Sequence, residues 1–345
     1  MKKLLKHISP LAPDDSGACS VLYEMGGITV ICDAGGCAGN VCGFDEPRWS
    51  EKPSALFSAG LRDMDAILGR DDRLVEKLTK CCEQVDGRFT AIVGTPVPAV
   101  IATDYKALKR MAEKKTGLPC ITVPTDGTRL YDCGEERAYM ALFEEFAVKR
   151  HEVKKGRAAV IGATPLDTGF LRADKLIGNI RAMGLDEVVC IGLDSGLEEV
   201  ENISSAEKLI VISPAGIRPA GYLHEKFGTE VIYAYPCLPE EVVSECKKLR
   251  GKKVLIIHEQ MAANALRELI EEDNQADCAT FFMAEESLSK PGDIKIAGED
   301  DLREKTAQRG YEVIVADKFF SRALGGFEGQ WIDFPHNAAS GRLRQ

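Results

Sequence analysis

The sequence predicts an α/β protein built from three Rossmann-like units, each an open parallel sheet with helices between its strands. Short runs rich in β-branched residues recur along the chain, near 28–31, 89–93, 119–123, 158–161, 187–191, 208–212, 230–233, 253–257, 279–283 and 312–315. Amphipathic stretches lie between most of them, and a parallel sheet needs such crossovers to return the chain. Roughly ten strands exceed what one small open sheet holds comfortably. Two basic joints, KRHEVKKGR at 149–157 and RGKK at 250–253, each fall between a helix and a new strand. They divide the chain into units 1–153, 154–250 and 251–345, with the final stretch folding back on an earlier unit.

The elements follow from local chemistry. ITVI at 28–31 is a strand that ends in Cys32 and a glycine-rich turn, DAGGCAGN. In DRLVEKLTKCCEQVD, Leu74, Leu78, Cys81 and Val85 share one helical face, so Cys81 serves as a small buried apolar residue and Cys82 borders that face. Asp104 caps a helix running to Lys115, because its carboxylate accepts from first-turn amides that have no helical partner. A further helix is expected over 135–148. The loops at 33–40, 94–104, 162–168, 192–196, 213–218 and 258–260 all follow strands, where open α/β sheets place their ligands.

The 345 residues are 45% hydrophobic and 28% charged, with a net charge of −10 and a pI near 5.2. This composition fits a globular protein and opposes a general nucleic-acid binder, which needs a basic face for phosphates. The start, MKKLLKHISPLAPDD, has no apolar region of signal-peptide length, and no run of about 18 apolar residues occurs. A cytoplasmic location without a membrane span is therefore expected. In such a reducing compartment the twelve cysteines are thiols or metal ligands rather than disulfides.

Four cysteines stand apart: Cys19, Cys32, Cys37 and Cys42. Cys37 sits in the glycine turn, at a candidate helix start, where backbone amides favour a thiolate. Cys32 closes a strand and suits the core better than a metal. Cys42 is intermediate, and Cys19 falls near the start of the preceding helix. Two thiolates cannot complete four positions on a cubane cluster, so either further residues contribute or two chains pool their pairs. The close Cys pairs of structural zinc are absent. Cys120 and Cys190 lie in predicted strands and Cys246 on a helix; Cys133, Cys237 and Cys278 have no partner at ligand spacing.

The turn lacks the full glycine pattern of a dinucleotide site, and no P-loop motif occurs. Gly35, Gly36, Gly39 and Asn40 can still cradle an anion. Asp33, at the strand end, is a proton donor or a turn cap. FDEPRW places Asp45, Glu46, Arg48 and Trp49 just past the cysteine loop. Asp45 is a substrate-site candidate; Arg48 is suited to a substrate carboxylate or a local salt bridge, Trp49 to an aromatic ligand or the core. His258, at a strand's carboxyl end, is a candidate acid or ligand, and Arg218 a candidate anion contact.

These residues carry a resemblance. SGACSVLYEMGGITVICDAGGCAG resembles the first cluster-binding segment of nitrogenase component 1-type oxidoreductases. ALFSAGLRDMDAILGRDDRLVEKL, FTAIVGTPVPAVIATDYKALKRMAEKKTGLPCITV and SSAEKLIVISPAGIRPAGYLHEKFGTEVIYAYP are similar to later segments of that family, in the same order. The resemblance implies three Rossmann-like domains, a cluster at a subunit interface and a substrate or cofactor cavity between domains. It also implies a separate ATP-hydrolysing iron protein as electron donor, in keeping with the missing P-loop.

Cys37 matches the family's glycine–cysteine ligand. Cys19 is offset from an earlier family cysteine, whose place falls to Pro13, Asp14 or Asp15. A third family cysteine falls at or beside Thr95. The cysteine that holds the nitrogenase metal cofactor falls near Ser213 or Pro214. The resemblance thus implies one [4Fe-4S] cluster per dimer, held by Cys19 and Cys37 of each chain with Cys42 nearby, and no dinitrogen reduction. The first expectation is a reductase acting on an organic substrate, as a homodimer or beside a homologous subunit, with Asp33 or His258 supplying protons. The alternatives are a metallocofactor-assembly scaffold and a cluster-free small-molecule binder.

Overall fold

The computed structural model describes residues 5–344. Within them, three fully parallel sheets follow one another along the chain. The first holds β1 (Ile28–Ile31), β2 (Leu56–Ser58), β3 (Thr90–Val93) and β4 (Cys120–Val123) in the order β2-β1-β3-β4. The second holds β5 (Lys154–Ile161), β6 (Glu187–Cys190), β7 (Ala206–Val211) and β8 (Glu230–Tyr233) in the order β6-β5-β7-β8. The third holds β9 (Lys253–Ile257), β10 (Gln275–Thr280), β11 (Ile294–Lys295), β12 (Val313–Ala316) and β13 (Gln330–Asp333) in the order β11-β10-β9-β12-β13. The α/β class with parallel sheets is thus the observed fold. No helix among the described residues is long and apolar enough to cross a membrane.

Central strands read as unbroken apolar runs because helices cover both faces. ITVI of β1 and TAIV of β3 are buried at every position. Three edge strands, β2, β11 and β13, have no counterpart among the expected strands because they are short or mixed: LFS, IK and QWID. β10 lies upstream of its expected place. Its pairing runs from Gln275 opposite Lys253 to Ala279 opposite Ile257, and the apolar Phe281 and Phe282 that follow pack in the core of the third unit.

The expected cap at Asp104 forms, its carboxylate accepting from Lys106 and Ala107 amides at 3.0 Å. The helix placed over 135–148 instead spans Tyr131–Phe146. It starts a turn early because Pro13 and Leu130 form an antiparallel bridge that fixes its entry.

That helix organises the molecule. It packs along the helix Asp14–Leu22, every residue of which is buried. The contact depends on two glycines. A Cβ on Gly17 would lie 1.9 Å from the Tyr131 carbonyl oxygen, and one on Gly134 would lie 1.7 Å from that of Asp14. The C-terminal segment ties further parts together. Ala12 N donates to Ala338 O at 2.9 Å, while the Arg344 guanidinium donates to Thr168 O, Tyr235 Oη and Cys237 O at 2.7–3.0 Å.

Gly134→Ala is expected to lower stability by about 3 kcal/mol, the upper range for overpacking, because backbone rather than a flexible side chain must yield. Calorimetry checks this, and an unchanged melting temperature would mean that the helices are not seated on these glycines.

Candidate functional site

The thiol loop lies at the carboxyl end of the first sheet. β1 ends with Cys32 N donating to Val93 O at 2.8 Å. Gly35 then turns the chain at φ +116°, a conformation that favours glycine, and the short helix Gly36–Asn40 follows. Asp33 is buried beneath the turn. Its Oδ2 accepts from Ala38 N at 2.8 Å, and its Oδ1 accepts from Ser58 Oγ at 2.6 Å. Asp33 therefore caps the turn and pins it to β2. A second carboxylate, Asp45, accepts from Ser16 Oγ and Asn40 Nδ2 at 2.6 Å each, tying the loop to the helix Asp14–Leu22. Gly36 and Gly39 face open space. With Asp33 and Asp45 anchoring the loop, its electrostatics disfavour an anion.

Cys37 is half-buried, and its thiol meets the Asp15 carboxyl and the Thr95 hydroxyl. Burial, followed by the charges of Asp15 and Asp33, pushes this thiol up to about 11. Asp15 is 2% exposed, and its Oδ1 has no hydrogen-bond partner. Burial drives Asp15 up to about 6. Thr95 Oγ1 donates to Cys32 O at 2.8 Å, so strand end, threonine and thiol form one unit. Among the described residues, no group of three His, Cys, Asp or Glu side chains is arranged to hold a metal ion. One chain thus brings together the donor pair Cys37 and Asp15.

The other thiols stand differently. Cys19 is 1% exposed and packs in the main apolar core, where burial and then Asp15 and Glu46 hold it well above the ordinary thiol range. On the helix Asp14–Leu22, the side chain that meets the Cys37 thiol is Asp15. Asp15, one of the three residues expected at the earlier family cysteine's place beside Pro13 and Asp14, lies one helical turn before Cys19 on the same helix. Cys42 is half-buried, raised by burial and by Glu46. Cys32 is in the core.

Apolar side chains are exposed on segments at this end of the sheet. Phe44, Met64, Ile67, Leu68, Val100 and Ile101 are exposed. They belong to the segments that follow β1, β2 and β3, so the parallel topology sets them at the same end of the sheet as Cys37.

The remaining candidates are committed elsewhere. Arg48 is buried with all five guanidinium hydrogens directed at acceptors: Glu46 and Glu24 carboxylates, the Gly192 and Ser20 carbonyls and Ser20 Oγ, at 2.7–3.2 Å. It joins the first unit to the loop after β6 and has no donor left for a substrate carboxylate. Trp49 sits edge-on to Tyr23, centroids 6.5 Å apart. Arg218 is exposed and pairs with Glu136 at 3.3 Å. His258 is buried after β9, stacked 4.0 Å from Phe334, with Nε2 3.2 Å from Pro335 O. Burial, then His336 and Arg344, holds His258 well below the usual imidazole range, so it is neutral and not a proton-rich acid at neutral pH. His336, which no sequence signal placed, lies 4.5 Å from both His258 and Phe282, its ring nitrogens without partners.

The family model for nitrogenase component 1 type oxidoreductases matches residues 16–243. Two solved structures of nitrogenase Cp1 share the fold. The one at pH 6.5 is 11% identical with a TM-score of 0.73, over 97% of this chain and 87% of that one. The one at pH 5 is 12% identical with a TM-score of 0.74, over 100% and 86%. No curated protein matches.

Arg48→Met is expected to cost about 3–5 kcal/mol, because Glu46 would keep a buried charge without its cation, while Glu24 would retain only Lys52. Urea titration of both proteins measures it, and a loss below about 1 kcal/mol would show that the ion-pair network holds nothing together.

Proposed function

The chain belongs to the nitrogenase component 1 type oxidoreductase family, and from that premise we propose that it is the catalytic component of a nitrogenase-like reductase. In this reading it takes single electrons from a separate ATP-hydrolysing iron protein and passes them to an organic substrate. A [4Fe-4S] cluster, when bound, supplies the one-electron relay. Cys37 and Asp15 are the ligands each chain contributes, so that two chains facing each other complete four positions.

The observation that carries this reading is the buried Asp15 Oδ1, left without a partner beside the Cys37 thiol. An unpartnered buried oxygen is costly, and a metal would accept its lone pair. The donor set, one soft thiolate and one hard carboxylate, suits iron. The exposed apolar side chains at this end of the sheet favour burial against a second protein surface over exposure to water. Burial raises both donors, Asp15 to about 6 and Cys37 to about 11, so at neutral pH it is chiefly the thiol that releases a proton on cluster loading, and loading strengthens as pH rises.

The chain's own contribution is positional. The Asp33 cap and the Asp45 tether hold the thiol loop still. Protein purified without oxygen, or reconstituted with iron and sulfide, is expected to carry about four irons per two chains. Cys37→Ala should abolish iron binding, and Asp15→Ala should weaken it strongly. Cys19→Ser should change stability more than iron content. Iron retained in Cys37→Ala, measured by metal analysis and electron paramagnetic resonance, would remove the assignment. Given reduced iron protein and ATP, a reductase turns over substrate.

A further inference from the structure

Away from the thiol loop, the helix Tyr131–Phe146 and the loop after β5 bury two carboxyl groups side by side. Glu135 is 0% exposed and Asp167 2%. The Thr164 hydroxyl lies 2.6 Å from Glu135 Oε1 and 3.1 Å from Asp167 Oδ2. Tyr131 Oη donates to Asp167 Oδ1 at 3.0 Å. Asp167 also contacts Glu135 directly and the Ser213 hydroxyl after β7. Glu135 Oε2 has no partner.

Counting hydrogens leads to the inference. Thr164 carries one hydroxyl hydrogen and two neighbouring carboxyl oxygens, so it serves only one at a time. Nearby arginines are spoken for: Arg137 pairs with Asp14 at 3.6 Å and Arg218 with Glu136 at 3.3 Å. With both carboxyls ionised, two like charges would touch in a dry interior with too few donors. We propose that Glu135 and Asp167 bind one proton between them at neutral pH, and that this proton fastens the Tyr131–Phe146 helix to the loop after β5.

The groups facing the pair do nothing to replace that proton. Tyr131, Asp132 and Tyr139 come from the same helix, Thr164 from the β5 loop, Ser213 from the β7 loop and Glu259 from the β9 loop. Each is acidic or neutral. Burial, then Asp167, holds Glu135 well above the usual carboxylic range, and burial lifts Asp167 to about 6. The folded chain therefore binds more protons here than the unfolded chain. The fastening is complete in acid, stands at neutral pH and weakens as pH climbs through the folded value. Because the same helix seats Asp14–Leu22, release would also loosen the support of Asp15. The inference is independent of the reductase reading.

Amide hydrogen exchange on the full chain tests it, at about pH 6 and about pH 9 with intrinsic rates corrected. In wild type, protection of the helix Tyr131–Phe146 and of the loop after β5 should fall by up to tenfold per pH unit over the window in which the proton is lost. Glu259, raised by burial to about 8, titrates in the same window, so it is removed from the comparison by Glu259→Gln. Glu259→Gln alone should lose protection with pH as wild type does, whereas Glu135→Gln in the Glu259→Gln background should keep equal protection at both. Equal protection at both pH values in Glu259→Gln, or a pH-dependent loss in the double variant, would overturn the proposal. Should the double variant not fold, infrared spectra of Glu259→Gln decide. A protonated-carboxyl band at neutral pH that disappears in alkali is expected, and its absence overturns the proposal.

Discussion

The approach of two helices through Gly17 and Gly134 is the constraint on which the rest depends. A carbonyl lies where either glycine's Cβ would be, so the backbones touch without side chains between them. This closeness brings Asp15 of one helix and Tyr131 and Glu135 of the other into one packed unit. Asp15 reaches the Cys37 thiol after β1. Tyr131 and Glu135 reach Asp167 after β5. Two chemically distinct clusters, a thiol–carboxyl pair and a carboxyl–carboxyl pair, are thus built on one packing contact.

Both clusters also share an electrostatic character. Burial raises every acid in them, and no cation is supplied to offset it. The buried Arg48 is fully spent on other carboxylates and carbonyls. The buried acids therefore hold protons that a metal or a rise in pH would displace. Arg48 and Arg344 act as ties between units, in keeping with the planar, many-donor geometry of guanidinium.

Much of the fold was legible along the chain. β1, β3, β4 and β9 are short apolar runs between turns, and the Asp104 cap follows from the residue type alone. The two- and three-residue edge strands β11 and β2 were not legible, because edge pairing depends on a neighbour and leaves little local pattern. The site was partly legible. Cys37 stood out by its glycine turn, while the resemblance left Pro13, Asp14 and Asp15 open at the earlier cysteine's place. Glu135, Asp167 and His336 gave no signal, since residues in three separate segments became partners only after packing.

Local composition and period determined the class, the parallel sheets and the exposed position of the thiol turn, because strands, caps and glycine turns are set by nearest neighbours and solvent. Tertiary structure decided which candidates touch. It withdrew Cys19 into the core, consumed Arg48 in ion pairs and neutralised His258 by burial. Each outcome depends on desolvation and on partners far apart in the chain, and those exist only once the three sheets have closed around the central helix pair.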